Sequence, residues 1–408
     1  MPNQKQLLLA MIEYLQSENL TDVDDLRTTD LQTVWRGLVN QQDPQNISQE
    51  YLSLEDRYLS HWWNTQKVKT IDVCHQTVYS NVFTYHGDIC LLQVDAIVNA
   101  ANSKLLGCFI PNHHCIDNHI HTFAGLGIKA KAFSPISPFI STYYNYRDHR
   151  KIVVIDGVVG MTGGVNLADE YINHIELFGH WKDSGIMLKG KAVDSFLLLF
   201  LQMWSITEEK MLVAPYLGVH DDLVENEGYV IPYGDSPLDT DKVGENVYID
   251  ILNHAREYVY IMTPYLILDS ELEHAIQFAA ERGVDVRIIM PGIPDKPIPY
   301  ALAKTYYQAL TKSGVKIYEY TPGFVHSKIF LSDNTKAVVG TINLDYRSLY
   351  HHFECAVYLY KVDAIQDIYR DYMDTLNKSR LVSLKDINNI PKFQKVIGIV
   401  TKTIAPLL

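Results

Sequence analysis

From Val243 onward the chain alternates between two hydrophobic periods. Apolar residues at helical spacing predict helices over Val243–Arg256, Asp269–Arg282, Pro299–Ser313 and Val362–Asn377. Runs rich in β-branched and aromatic residues predict strands over Tyr258–Met262, Val284–Met290, Val315–Tyr320 and Cys355–Tyr360. Gly283 and Gly314 follow two of the helices, where a left-handed residue ends a helix at no steric cost. Strands alternating with helices predict an α/β sheet packed between helices. Upstream, Ile186–Trp204 suits a strand followed by a helix, and Ser205–Asn246 reads as an acidic connector. At the other end, Leu7, Leu8, Met11, Ile12 and Leu15 follow helical spacing, and 30–40 reads as a second helix broken by Asp43-Pro44. Residues 1–60 therefore read as helical packing that carries no chemistry. No stretch reaches the roughly 18 apolar residues of a spanning helix, and Phe196–Leu201 is short enough to be a buried helix. The closing KFQKVIGIVTKTIAPLL is apolar with three lysines; it suits a membrane surface or, as the favoured reading, packing on its own domain.

The polar positions that interrupt this pattern recur. His326, Lys328, Asp333, Gly340, Thr341 and Asn343 repeat the spacing of His149, Lys151, Asp156, Gly163, Gly164 and Asn166. A single His-x-Lys is more often a solvated strand edge; two six-point copies are not coincidence. Histidine and lysine two apart on a strand share a face, Asp333-Asn334 reads as a turn, and the Gly-x-x-Asn end brings small polar groups back beside the pair. Each copy is half of an anion site. Two facing halves would hold a phosphodiester between two imidazoles, one attacking phosphorus and the other protonating the leaving alcohol. Lys151, Lys328, Asn166 and Asn343, with Gly164 and Thr341, would bind the phosphate oxygens. Asp156 and Asp333 would orient and polarise. Lysines here do what a metal does elsewhere, so this chemistry implies no cofactor. Glu354 is a candidate carboxylate partner for His326, fixing its tautomer.

From about Leu126 to the end the chain resembles the phospholipase D superfamily, and within it the bacterial cardiolipin synthases. Asn145–Gly157, Pro232–Asp239, the second motif with Arg347 and Ser348, His352–Tyr358 and the final Pro-Leu-Leu carry the likeness. The resemblance implies a two-repeat fold whose first repeat is truncated. It also implies an enzyme joining two phosphatidylglycerols into cardiolipin and glycerol through a phosphohistidine, with His149 as the nucleophile or the reverse. Such enzymes usually begin with two membrane helices, which are absent here. A peripheral place at the inner, cytoplasmic face of the cell membrane is the expectation.

The 408 residues carry a net charge of −13, which argues against general nucleic-acid binding. Attraction to an anionic membrane must then be local, and Lys129, Lys131, Arg147, Arg150 and Lys151 form one basic zone. Cys74, Cys90, Cys108, Cys115 and Cys355 form no disulfide framework, an odd count that fits a reducing cytosol. Gly87-Asp88-Ile89 and Val94–Asn102 resemble the front half of a macrodomain. That likeness implies ADP-ribose contacts at Asp88, Ile89 and Asn102, and a buried parallel strand over Ala96–Asn99. Cys108, His113 and Cys115 resemble the cluster of zinc-dependent macrodomains, with three ligands and an open fourth position for Zn²⁺. The expected organisation is a partial macrodomain-like α/β segment at 1–125, a truncated first repeat at 126–204, a connector at 205–246 and a second repeat at 247–408. The alternatives to phosphatidyl transfer are zinc-dependent ADP-ribosyl hydrolysis or ADP-ribose binding, and an inactive fusion of two partial proteins.

Overall fold

Period-two alternation sets the layers. The computed structural model describes residues 4–18, 30–39, 48–65, 75–76, 83–84, 96–97, 146–166, 168–207, 217–218 and 227–407. The chain divides into two units: 1–94 with 101–138 and 167–169, and 95–100 with 139–166 and 170–408.

In the first unit, α1 (Gln4–Glu18), α2 (Leu31–Val39) and α3 (Gln49–Thr65) realise the predicted helical periodicity. Met11, Leu15, Trp35 and Tyr51 form their core. The Trp35 indole N–H donates to the Tyr51 hydroxyl at 2.9 Å, so the buried polar tip is satisfied. Asp30 accepts from the Thr33 N–H at 3.1 Å and so caps α2. The strands β1 (His75–Gln76) and β2 (Phe83–Thr84) pair antiparallel.

The second unit runs β3 (Ala96–Ile97), β4 (Arg147–Asp148), β5 (Ile152–Ile155), β6 (Val159–Gly163), β7 (His180–Lys182), β8 (Gly185–Lys189), α4 (Val193–Trp204) and β9 (Tyr229–Asp235). It continues with α5 (Val243–His254), β10 (Tyr258–Met262), α6 (Ser270–Glu281), β11 (Asp285–Pro291), α7 (Pro297–Lys312), β12 (Lys316–Tyr320) and β13 (Gly323–Val325). It ends with β14 (Ile329–Ser332), β15 (Lys336–Gly340), β16 (His352–Tyr360), α8 (Ala364–Asn377), β17 (Ser379–Leu381), α9 (Leu384–Asn388) and α10 (Lys392–Thr403). Asp269 caps α6 through the Leu272 N–H at 2.8 Å, and Gly283 and Gly314 adopt φ of 95° and 101°.

A nine-stranded sheet runs β17-β12-β11-β10-β14-β15-β16-β4, with β9 also on β16. The strands β10, β11 and β12 are parallel, and β14, β15, β16 and β9 turn antiparallel. Val259, Ile261, Ile288 and Phe330 face a core shared with α5, α6 and α7. The alternate residues Tyr260, Met262, Ile289 and Leu331 face a second core with Phe196, Leu197, Ile365 and Tyr372 from α4 and α8. The four-stranded sheet β3-β5-β6-β8 contributes Ile152, Val154 and Leu188 to that second core.

Two expectations are corrected. The supposed connector 205–246 contains β9, whose Tyr229–Asp235 pairs with Glu354–Tyr360. Pro232 and Gly234 disguise it as a breaker sequence, yet proline is tolerated on an edge strand. The pair Ala96–Ile97 runs antiparallel to Val153–Val154 of β5, not parallel as the macrodomain likeness implies. Among the described residues no helix is long and apolar enough to cross a membrane.

Candidate active site

Each His-x-Lys occupies a break between two short strands: His149–Lys151 between β4 and β5, His326–Lys328 between β13 and β14. The expectation of one continuous strand is corrected here, because the backbone of each histidine is bonded across the two halves. The His149 N–H donates to the Phe353 carbonyl at 2.9 Å and the His326 N–H to the Lys182 carbonyl at 2.7 Å. Parallel pairing of β4 with β16 and of β7 with β13 extends these clasps. Each lysine folds back onto the carbonyl of its own histidine, Lys151 Nζ at 2.6 Å from His149 O and Lys328 Nζ bonded to His326 O.

The side chains are crossed in the same way. His149 Nδ1 meets both carboxylate oxygens of Glu354 at 2.9 and 3.0 Å. His326 Nδ1 meets Asp183 Oδ2 at 2.7 Å. Glu354, expected beside His326, thus serves the opposite imidazole, and Asp183 was not foreseen. The reason it was missed lies in the spacing: Asp183 follows Asn166 by 17 residues, whereas Glu354 follows Asn343 by 11. Trp181 and Tyr171 flank the His326 ring at centroid distances of 5.2 and 5.3 Å. His352 lies 5.3 Å from the His149 ring, with Nδ1 3.5 Å from Glu354.

Electrostatics follow from burial. Burial pulls His149 down to about 3, Glu354 opposing and Lys151 assisting. Burial likewise pulls His326 down to about 4, assisted by Lys328 and opposed by Asp183. Burial lowers Lys151 to about 8 against the attraction of Glu354, and Lys328 to about 7 against that of Asp183. Burial would raise both carboxyls, but His326 and Lys328 hold Asp183 below its usual value, and His149 and His352 hold Glu354 well below. Lys151 acts on both His326 and Lys328, so the two halves form one electrostatic cluster. With each Nδ1–H held by a carboxylate, Nε2 of either ring is left as the lone-pair nitrogen. Such a cluster can bind an anion and present it to a nucleophile and a base.

The remaining expected residues are placed differently. Asp333 lies seven residues past His326, roughly 20 Å along an extended chain. It accepts from the N–H groups of Arg256, Glu257 and Tyr258 at 2.8, 3.0 and 2.9 Å. Asp156 holds the equivalent turn between β5 and β6, with φ of 54° against 51° for Asp333. The carboxylates bonded to the imidazoles are Glu354 and Asp183, while Asp333 is bonded to the Arg256–Tyr258 backbone. The Thr341 hydroxyl bonds to Glu354 and lies 3.1 Å from the Cys355 carbonyl. Gly164 allows close approach: a Cβ there would fall 2.1 Å from Asp183 Oδ1 and 2.8 Å from His326 O. Asn166 Nδ2 donates to the Tyr171 hydroxyl at 2.6 Å, while Oδ1 of Asn166 and of Asn343 is buried with no partner. Asp88, Ile89, Asn102, Cys108, His113 and Cys115 lie outside the described residues. Among the described residues His149, His352 and Glu354 bring donor atoms within 4.8 Å of one another, but that carboxylate is already bonded to His149 and Thr341.

Asp333→Ala is expected to lower unfolding free energy by about 2 kcal/mol, since three backbone donors lose a charged acceptor. Denaturant titration reads the loss; turnover per folded molecule is expected to stay unchanged, because the turn is remote from the imidazoles.

Residues 248–376 match the family described as "Cardiolipin synthase, PLD-like domain". The second half of the chain carries a phospholipase D-like domain of the cardiolipin synthase kind. An uncharacterized protein of Streptococcus mutans is 66% identical over 283 residues, covering 69% of this chain and 61% of that protein. A cardiolipin synthase of Alkalihalophilus pseudofirmus is 36% identical over 293 residues, covering 71% of this chain and 58% of the relative. The chain thus spans about three fifths of the length of these relatives. Among solved structures, a phosphatidylserine synthase of Haemophilus influenzae aligns with TM-score 0.48 at 15% identity, covering 64% of this chain and 71% of that one.

Proposed function

We propose that the chain is a phosphatidyltransferase joining two phosphatidylglycerols into cardiolipin and glycerol. The observation that carries this is the crossed pairing of two imidazoles with two buried carboxylates around two buried lysines. His149 Nε2 attacks phosphorus, and the bond to the headgroup glycerol oxygen breaks as His326 gives that oxygen a proton. Glycerol leaves and a phosphatidyl group stays on His149. His326, now neutral, takes the proton from the primary hydroxyl of a second phosphatidylglycerol. That oxygen attacks phosphorus, the P–N bond breaks, and cardiolipin departs with His149 restored.

His149 suits the nucleophile because burial keeps it unprotonated to about pH 3. His326 gains its proton when the diester anion lies beside it, since a nearby negative charge favours the imidazolium. Lys151 and Lys328 neutralise the non-bridging oxygens, which is how this route proceeds on the chain's own charges. The unpartnered Oδ1 atoms of Asn166 and Asn343 lack a donor, and a glycerol hydroxyl is one. A membrane surface is the partner that holds such a substrate.

Incubation of the full chain with labelled, short-chain phosphatidylglycerol tests the reading. Cardiolipin and glycerol in equal amounts are expected; phosphatidic acid alone, or no turnover, would sink it. Binding of a non-reacting phosphonate analogue is expected to weaken at least tenfold between about pH 6 and pH 9. The sign follows from Lys328 and Lys151, whose ammonium groups are lost as pH rises through about 7 and about 8 in the empty site and are retained beside a bound anion. Calorimetry across that range checks it.

A further inference from the structure

The helix α10 is inside out. Its buried line is Gly398 and Thr401, continued by Ala405 just beyond its end. A Cβ at Gly398 would lie 2.5 Å from the Ala301 carbonyl of α7, so small residues let the two helices close up. The large apolar side chains point the other way. Phe393, Val396, Ile399 and Val400 are 69%, 59%, 62% and 60% exposed, and Ile404 is 46% exposed. A helix that hides its small and polar residues and shows its aliphatic ones to water presents a face meant for something else.

Charge indicates what covers it. Between residues 387 and 408 the charged residues are Lys392, Lys395 and Lys402, with no acid, in a chain of net charge −13. Lys402 pairs with Glu273 at 3.7 Å and lies 3.9 Å from the Tyr306 ring centroid, which leaves Lys392 and Lys395 beside the apolar face. That combination is complementary to an anionic lipid surface, where acyl boundary meets phosphate. Its place in the fold agrees. Pro406, just past α10, offers its carbonyl to His351 Nε2 at 3.0 Å. The next residue, His352, has its ring 5.3 Å from that of His149. The segment just past α10 thus meets the residue next to His352.

We propose that α10 docks the catalytic unit on the surface of a bilayer containing anionic phospholipid, with Phe393, Val396, Ile399 and Val400 inserted. This rests on the lipid-substrate reading above and names the surface that presents the substrate. The test is flotation of the full chain with vesicles of phosphatidylcholine alone and of phosphatidylcholine mixed with phosphatidylglycerol. The parent is expected to float with the mixed vesicles. The variant V396S/I399S/V400S is expected to lose about 100-fold in partitioning, as three inserted aliphatic chains are removed. Its turnover of a short-chain, monomeric phosphatidylglycerol is expected to match the parent, which also shows that it folds. Equal flotation of parent and variant overturns the proposal, as does failure of the parent to float. A change from dimer to monomer in the ultracentrifuge without a change in flotation also overturns it, assigning the face to a second copy. Loss of flotation in a protein that never turns over the short-chain lipid would leave docking intact and sink the catalytic reading instead.

Discussion

Replacing His149 by alanine is expected to abolish cardiolipin formation, lowering turnover by about 10⁴-fold or more, because the atom that would carry the phosphatidyl group is gone. His326→Ala is expected to cost a similar factor for a different reason. The nucleophile remains, but the leaving glycerol oxygen has no proton donor and the incoming hydroxyl no base. Acid-quench trapping with labelled phosphatidylglycerol separates the two. Label on protein is expected with the parent and, slowly, with His326→Ala, and not with His149→Ala. Label that persists in His149→Ala and disappears in His326→Ala would exchange the roles.

The second large effect is predicted for the carboxylates. Glu354→Gln and Asp183→Asn are each expected to lower turnover by about 10²- to 10⁴-fold with little change in fold. Glu354 accepts from His149 on one side and from the Thr341 hydroxyl on the other. An amide has one acceptor end and one donor end, so one of those bonds must be lost or reversed. At Asp183, Oδ1 accepts from the Ser184 N–H at 2.8 Å and Oδ2 faces His326 at 2.7 Å. An asparagine that keeps the backbone bond turns its NH₂ toward Nδ1, which must then accept, and removes the negative charge that supports the imidazolium, so Nε2 can no longer take up and give the proton in turn. Turnover of the short-chain lipid, alongside an unchanged thermal transition, checks both; full activity in either variant would remove the positioning role.

Much of this was legible before any fold was drawn. Repetition of His149-x-Lys151 at His326-x-Lys328 marks the site, since spacing survives when the rest of a repeat diverges. Most helices and strands between Val243 and Asn377 follow from period alone, and β10 is predicted to its full span, Tyr258–Met262, whereas β13, β17, α9 and α10 are not among the predicted elements. What escaped was everything decided between distant segments. Glu354 meets His149 across 205 residues and Asp183 meets His326 across 143; one chain's pattern carries no such pairing. The strand β9 escaped because Pro232 and Gly234 look like breakers until an edge position excuses them. The backbone role of Asp333 escaped too, because the motif does not announce that this acid ties a turn to the Arg256–Tyr258 backbone. For the C-terminal stretch the sequence showed an apolar run with three lysines, and only packing reveals a helix, α10, whose glycine side is pressed against α7.

The crossed bonds also bear on inheritance. Since His149 is aimed by an acid encoded in the later repeat and His326 by one in the earlier, neither repeat can evolve as a free module. A recombination that exchanged one repeat for a distant cousin's would have to bring a matching acid at the right depth. Otherwise it would yield a well-folded chain whose two histidines both look intact and neither works.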